Sequence, residues 1–462
     1  MSETSALPSP GAYVDKSMYR QAFSIAWPAA LEGALLSIIG TVDTVMVKSV
    51  HEYAIASIAL TSQPRLILLI LAQALCVGTT AMVSRRRGEG DRDGANEALS
   101  LSMLLITFVG ALIAATGHFL AEPIIRLQGG DGDTTAMAVQ YFKIVALGLP
   151  FSCWNLCLCA ALRATGNTRI TMVTNITANL VNVVMNYCLI GGHFGFPALG
   201  VRGAALATVI GGIVASCISF YVVLFKDSYL RLKPRVKGFD RRTVSGLLKV
   251  GLSSVAESAA LRVGFALNNR IIASINADAL TSNTIIGSVT GLSFCLGDGV
   301  ATSGATMTGI SLGEGRKDKA RGYVDVCMRL GYIVSAFIIV LLFVLRRDLA
   351  LLFTDKEEIV RGASLAFLVV LAGIVAQNAR VIYSGCLRGA GDVKYVALIS
   401  LLSVSIVRPL MTWSLCHPLN RMYPELYLAY TGPWIAYVID AWIRTVLLWR
   451  RVKSGRYLDT RL

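Results

Sequence analysis

Three observations predict an all-α membrane protein of twelve transmembrane helices in two six-helix lobes. The first is composition. Of 462 residues, 55% are hydrophobic and only 15% charged, with a mean hydropathy of +0.62. Soluble globular chains average about 25% charged residues, so this mixture cannot cover a water-facing surface of such size. The second is run length. Apolar stretches of about 20 residues, enough to cross a bilayer core, recur along nearly the whole chain. The third is duplication. Leu162-Arg163-Ala164-Thr165-Gly166 reappears 225 residues later as Leu387-Arg388-Gly389-Ala390-Gly391. Gly88-Glu89-Gly90 reappears as Gly313-Glu314-Gly315, and Glu32 meets Glu257, at the same offset. An internal repeat in a hydrophobic chain points to a transporter that handles its substrate between two repeats.

The apolar runs place spans at 21–46, 54–84, 96–117, 135–161, 169–191 and 200–225 in the first half. The second half holds 243–272, 280–311, 322–345, 362–386, 395–416 and 428–449. Six spans per half give both halves the same orientation, hence a parallel repeat about an axis along the membrane normal. The expected organisation is a tail at 1–20, an N-lobe at 21–225, a basic linker at 226–242, a C-lobe at 243–450 and a tail at 451–462. Residues 1–20 are polar, with Pro8 and Pro10 and no apolar segment of a signal peptide, so the first span is expected to direct insertion.

The net charge of +15 is a topology signal. Arg85–Arg87, Arg163, Arg169, the Lys226–Lys249 segment, Arg316–Arg321, Arg388, Lys394 and Arg450–Arg461 fall on alternate loops. The positive-inside rule then puts both termini in the cytoplasm. Contact with anionic headgroups follows, whereas a nucleic-acid partner is not implied.

Charged groups inside a bilayer are costly and mark cavities, partners or pathways. Asp43 lies deep in the first span, eleven residues after Glu32. Eleven residues are three helical turns, which puts both carboxylates on one face about 16 Å apart. Burial raises a carboxyl pKa, so Asp43 could exchange a proton or hold Na⁺. The alternative is a cap or an interhelical hydrogen bond. The fifth span carries Asn175, Asn179, Asn182 and Asn186 along one stripe. Their amides could coordinate Na⁺ or anchor a protonated Asp43, or they could only join helices. In the second half Glu257 is the leading ion-binding candidate. Asn268 is the repeat mate of Asp43, and Asp298 sits between Gly297 and Gly299. Asn378 and Arg380 lie in the tenth span and Arg408 in the eleventh. Asp440 and Arg444, at i and i+4 in the twelfth, are placed to pair with each other. Pro28, Pro64, Pro150 and Pro409 are kink candidates.

No catalytic grouping emerges, and no enzyme is expected. Cys153, Cys157 and Cys159 lack a His or acidic neighbour and read as small apolar helix residues. The four histidines sit near span ends and form no ligand cluster.

Several segments resemble the multidrug and toxic compound extrusion (MATE) transporters. Trp27-Pro28-Ala29 through Val42-Asp43-Thr44-Val45-Met46-Val47 is similar to that family's first helix. The two Leu-Arg-x-x-Gly segments are similar to its paired cytoplasmic-loop signatures, and Leu199-Gly200-Val201-Arg202-Gly203-Ala204 to the start of its sixth helix. The resemblance implies two lobes in a V around a central cavity, and antiport of organic cations against H⁺ or Na⁺. It carries an ion site onto Asp43, Asn182, Asn186 and Thr208, with Asn186 where an Asp is usual. It carries a second site onto Glu257, where the tenth-helix acid is replaced by Gln377 and Asn378. Glu32, Asn179, Asn268, Asp298 and Asn378 are expected to line the substrate cavity.

The expectation is therefore a cation-coupled antiporter exporting organic cations and drugs across the plasma membrane of a prokaryote by alternating access. It would work as a monomer, with lipid and small organic cations as partners. It would need no cofactor beyond the transported H⁺ or Na⁺, the latter at Asp43 and Asn182. The alternative is a lipid-linked precursor flippase of the same superfamily, supported by Arg65, Arg262, Arg380 and Arg408.

Overall fold

The computed structural model describes residues 14–48, 54–128, 132–227, 229–232, 241–275, 277–351, 357–422 and 428–460. Nearly all of them are helical. The first half holds α1 (Lys16–Lys48), α2 (Ala54–Gly88), α3 (Arg92–Phe119), a short α4 (Ala121–Leu127), α5 (Gly132–Ala164), α6 (Thr168–Gly191) and α7 (Val201–Tyr221). The second holds α8 (Arg241–Ala273), α9 (Ala277–Gly313), α10 (Lys317–Leu351), α11 (Glu357–Gly389), α12 (Val393–Leu402), α13 (Arg408–Ser414), α14 (Asn420–Met422) and α15 (Leu428–Lys453). Wider π turns at Ser403–Val407 and Leu415–Leu419 join α12, α13 and α14 into one span. Each of the twelve expected spans falls on helix. Among the described residues, ten helical segments are long and apolar enough to cross a membrane. The helices outrun the apolar runs because their polar ends continue the winding. α2, for example, extends over Arg85, Arg86 and Arg87, whose charge suits a helix C-terminus.

The 225-residue register extends to the helix ends. Shifted by 225, α1 (16–48) becomes α8 (241–273), and α5 (132–164) becomes α11 (357–389). By the last helix of each half the register has moved by one turn. A Cβ on Gly148 would meet Val209 at 2.6 Å, and one on Gly373 would meet Val438 at 2.7 Å. The glycines are 225 apart and the valines 229.

The repeated loop motifs have a common physical cause. In Leu162–Gly166, the N–H of Gly166 bonds the Arg163 carbonyl at 2.8 Å and that of Asn167 bonds Leu162 at 2.9 Å. The second copy repeats this, Gly391 to Arg388 at 3.0 Å and Asp392 to Leu387 at 2.8 Å. Both are Schellman caps that satisfy the last carbonyls of a helix. They require a left-handed residue, supplied by Gly166 (φ 79) and Gly391 (φ 89). Leu162 and Leu387 are fully buried anchors.

The chain forms two compact units. One comprises Ala256–Arg461 together with the N-terminal part of the chain up to Ala30. The other runs from Leu31 to Val255. The first half of α1 thus belongs with the second repeat. Met18, Ala22 and Ala26 are buried in that core, and Ser303 donates to the Ala22 carbonyl at 2.9 Å. The first half of α8 belongs with the first repeat, where Leu247 joins the core and a Cβ on Gly78 would sit 3.1 Å from the Leu247 carbonyl. Shifted by 225, the Ala30–Leu31 boundary falls on Val255–Ala256, so the crossover occurs at one repeat position. Large apolar side chains face outward along the helices, including Phe108, Ile333 and Val344, as a lipid-facing surface requires.

Within the second unit of the sequence, α9 and α11 touch backbone to backbone. A Cβ on Gly389 would lie 2.1 Å from the Ala305 carbonyl oxygen. Gly389→Val should destabilise the protein by about 1–3 kcal/mol through overpacking. A thermal-shift scan in detergent should show a lowered midpoint.

Candidate functional site

Glu32 and Glu257 are each 4% exposed within lipid-layer helices, and each is held by an arginine from its own repeat. Arg388 Nη2 lies 2.6 Å from Glu257 Oε1, and Ser400 Oγ donates to the same oxygen at 3.2 Å. Arg163 Nη1 lies 3.5 Å from Glu32 Oε1. Asn175 Nδ2 donates to that oxygen at 2.6 Å and Thr171 Oγ1 to Oε2 at 3.4 Å. Glu32, Arg163 and Asn175 stand 225 residues before Glu257, Arg388 and Ser400. The duplicated motif is thus a duplicated ion pair. Its Leu anchors, its Gly turns the chain, and its Arg compensates a carboxylate inside the membrane.

Each unit contains a cavity. That of the first repeat has a volume of about 770 Å³ and is lined by neutral amides and hydroxyls, among them Asn155, Asn175, Asn179, Asn182, Asn186 and Thr208. Arg65 is the one charged residue in its described lining. Asn186 Nδ2 lies 3.4 Å from Asn182 Oδ1, Asn179 Nδ2 donates to the Asn175 carbonyl, and Thr208 Oγ1 bonds the Ala204 carbonyl. Ser219 donates to Asn155 Oδ1 at 2.7 Å, and Asn155 Nδ2 donates to Asn175 Oδ1 at 2.9 Å. Since Asn175 also donates to Glu32, an unbroken hydrogen-bonded path runs from this cavity to the buried carboxylate.

The second cavity, of about 410 Å³, lies within the other unit. It is lined by Glu257, Asp298, Arg380, Arg388, Arg408 and Arg444, with Phe265, Phe294, Trp434 and Tyr437 as its aromatic wall. Asp440 sits behind the wall, fully buried. It accepts from Arg444 at 2.5 Å and Arg408 at 2.7 Å, and Ser403 also donates to it.

A family model described as MatE matches residues 28–188 and 254–413, both repeats of the chain. The chain belongs to the MATE family. Among its relatives, the uncharacterized transporter YisQ of Bacillus subtilis is 26% identical over 443 residues, 95% of this chain and 94% of that protein. A probable multidrug resistance protein, NorM of Thermotoga maritima, is 24% identical over 95% of this chain and 93% of its own length. The fold matches a crystal structure of MATE in complex with MaD3S at a TM-score of 0.87 and 20% identity, covering 97% of this chain and all of that one. The protein is therefore a multi-pass membrane transporter of a family that includes multidrug exporters.

Of the residues expected at the MATE ion site, Asn182, Asn186 and Thr208 come together in the first cavity, with Asn179 beside them. The side chain of Asp43 lies outside the described residues. Glu257, Asn268 and Asp298 line the second cavity, where Asn268 Oδ1 accepts from Thr412 at 2.7 Å. Two residues expected in the substrate cavity are placed differently. Glu32 is not among the lining residues, because Arg163 and Asn175 enclose it. Asn378 is 1% exposed and donates to Ser335 Oγ at 2.9 Å, against Gly297, where a Cβ would fall 2.4 Å from its Oδ1. Sequence reasoning missed Asn155, a lone amide in an apolar run. It also missed the pairing of Arg163 and Arg388, whose signal was the offset they share with Glu32 and Glu257. Among the described residues, no group of three or more His, Cys, Asp or Glu could hold a metal ion.

Arg388→Gln should leave Glu257 buried and unpaired, at a cost of roughly 3 kcal/mol or more. The double substitution Glu257→Gln with Arg388→Gln should recover much of that loss. Thermal unfolding of both variants in detergent checks the ordering.

Proposed function

We propose that this MATE chain is an antiporter that exports organic drugs, organic cations among them, in exchange for H⁺ or Na⁺. The observation that carries the reading is the buried carboxylate of Glu257 on the wall of a membrane-embedded cavity. A carboxylate so placed gains or loses a cation at a cost set by its surroundings, which is what a coupling group must do. Asp43 is the corresponding acid of the first repeat, with Asn182, Asn186 and Thr208 offering oxygens for Na⁺ or a hydrogen-bonding cradle for a protonated carboxyl. The amide-lined cavity suits a bulky cation through its carbonyl oxygens. The names of the NorM and MdtK relatives, which are described as multidrug resistance proteins, support drug export. The protein would sit in the cytoplasmic membrane with both termini inside, as the loop arginines require.

The flippase alternative needs one cationic pyrophosphate site. Arg380 and Arg408 line the second cavity, Arg65 lines the first, and Arg262 is among the lining residues of neither. The multidrug relatives therefore make drug export the better reading.

Ethidium uptake into everted vesicles, under a pH gradient or a Na⁺ gradient imposed separately, tests the proposal. One gradient should drive uptake, and Asp43→Asn should reduce it to background. Uptake that survives in Asp43→Asn but fails in Glu257→Gln would move coupling to the second repeat. No uptake under either gradient would overturn the reading.

A further inference from the structure

Two guanidinium groups, those of Arg408 and Arg444, hold one carboxylate beside the second cavity, and Arg380 lines the same cavity. Arg408 and Arg444 both bond Asp440, and the charge of Arg380 also acts on Asp440 and Arg444. This cluster carries two excess positive charges. Glu257 and Asp298, which share Arg388, offset one of these, so the cavity with Asp440 keeps one excess positive charge. Like charges packed in a poorly hydrated layer repel strongly. The arrangement persists at lowest cost when an anion shares it.

The cavity also offers the contacts an anion needs. Arg380 Nε and Trp434 Nε1 are buried without a hydrogen-bond partner among the described residues. Both residues line the cavity, and Trp434 is 7% exposed. Arg408 stacks over Tyr437 at 4.7 Å and Phe265 at 5.6 Å, so cationic and aromatic groups share the lining of one cavity. A planar guanidinium fits carboxylate and sulfonate oxygens with two parallel donors. The π turn Ser403–Val407, followed by Pro409, immediately precedes Arg408 and sets its direction. Such turns are frequent at functional sites.

The first repeat shows that the fold does not demand this charge. At the 225 register Arg380 corresponds to Asn155 and Arg408 to Val183. The cavity there, with Arg65 as the one charged residue of its described lining, is nearly twice as large.

We propose that the cavity of the second repeat binds an aromatic organic anion, with Arg380 and Arg408 on its acid group and Tyr437 and Trp434 against its ring. This site is separate from the amide-lined cavity assigned to cations, and it shares its lining with Glu257. The occupant is a small ring-bearing anion and not a pyrophosphate, since Phe265, Phe294, Trp434 and Tyr437 line the same cavity as the arginines.

The full chain in lipid nanodiscs, titrated calorimetrically with 1-naphthalenesulfonate and with 1-naphthylmethylammonium, tests the proposal. The sulfonate should bind about tenfold or more tightly than the ammonium in the wild-type protein. Arg380→Gln should weaken it by about tenfold or more, and Arg380→Lys should keep part of the affinity. The wild-type comparison needs no variant, so a folding defect cannot hide the answer. Equal binding of the two probes, or sulfonate affinity unchanged in Arg380→Gln, would overturn the proposal. So would binding of inorganic pyrophosphate without the sulfonate. Ethidium uptake measured in everted vesicles carrying the same protein separates the two readings, because uptake without sulfonate binding removes only this site.

Discussion

A charge in the hydrocarbon layer must be compensated where it stands, and much of this protein is organised around that requirement. Glu32 and Glu257 are almost fully buried. A buried carboxylate is costly unless a cation stands at contact distance. Each repeat supplies that cation from the last turn of a helix, in Arg163 and Arg388. The helix must then stop, because the next residues turn back into the membrane, and it stops on a left-handed glycine with a Schellman cap. Leucine anchor, arginine, glycine turn and distant carboxylate are four parts of one device. Two copies survive in register because loss of any part leaves a buried charge or an unsatisfied helix end.

Around this shared frame the two repeats have diverged in chemistry. Where the first repeat places Asn155 and Asn175 in a neutral hydrogen-bonded path, the second places Arg380 and Ser400. Asp440, with Arg408 and Arg444, adds a buried charge cluster that has no equivalent among the described residues of the first cavity's lining. One backbone thus carries an amide-lined cavity and an arginine-lined one. Fold similarity at a TM-score of 0.87 cannot distinguish them. Only the side chains facing each cavity can.

The spans were legible in the sequence because run length and composition are local properties. The repeat was legible because identity at a fixed offset needs no structure. The Asp440–Arg444 pair followed from helical spacing alone. The partner of Glu32 was not legible. Arg163 lies 131 residues away and was accounted for as a positive loop charge. That reading was correct for topology and incomplete for packing. Asn378 was hidden for a different reason. An amide in an apolar span reads the same whether it faces a cavity or a neighbouring helix, and here it meets Ser335. Glu257 and Asp298 stood out because an acid in a span has few alternatives to a cavity or a partner; both line a cavity, and Glu257 also has a partner.

The position of the carboxylates gives the duplicated pair a further consequence. The helix bearing Glu32 passes from one compact unit to the other between Ala30 and Leu31. The helix bearing Glu257 does so between Val255 and Ala256. Each carboxylate therefore lies within two residues of a crossover. A proton or cation taken at Glu257 would weaken its hold on Arg388 at the point where α8 changes unit. A ligand shifts a conformational equilibrium only through contacts that differ between its states. The Coulomb energy of a buried ion pair is large in a poorly hydrated layer and depends steeply on whether the carboxylate is charged. The same reasoning applies to Glu32. Its path through Asn175 and Asn155 links the crossover of the first repeat to the cavity where Asn182 and Thr208 stand.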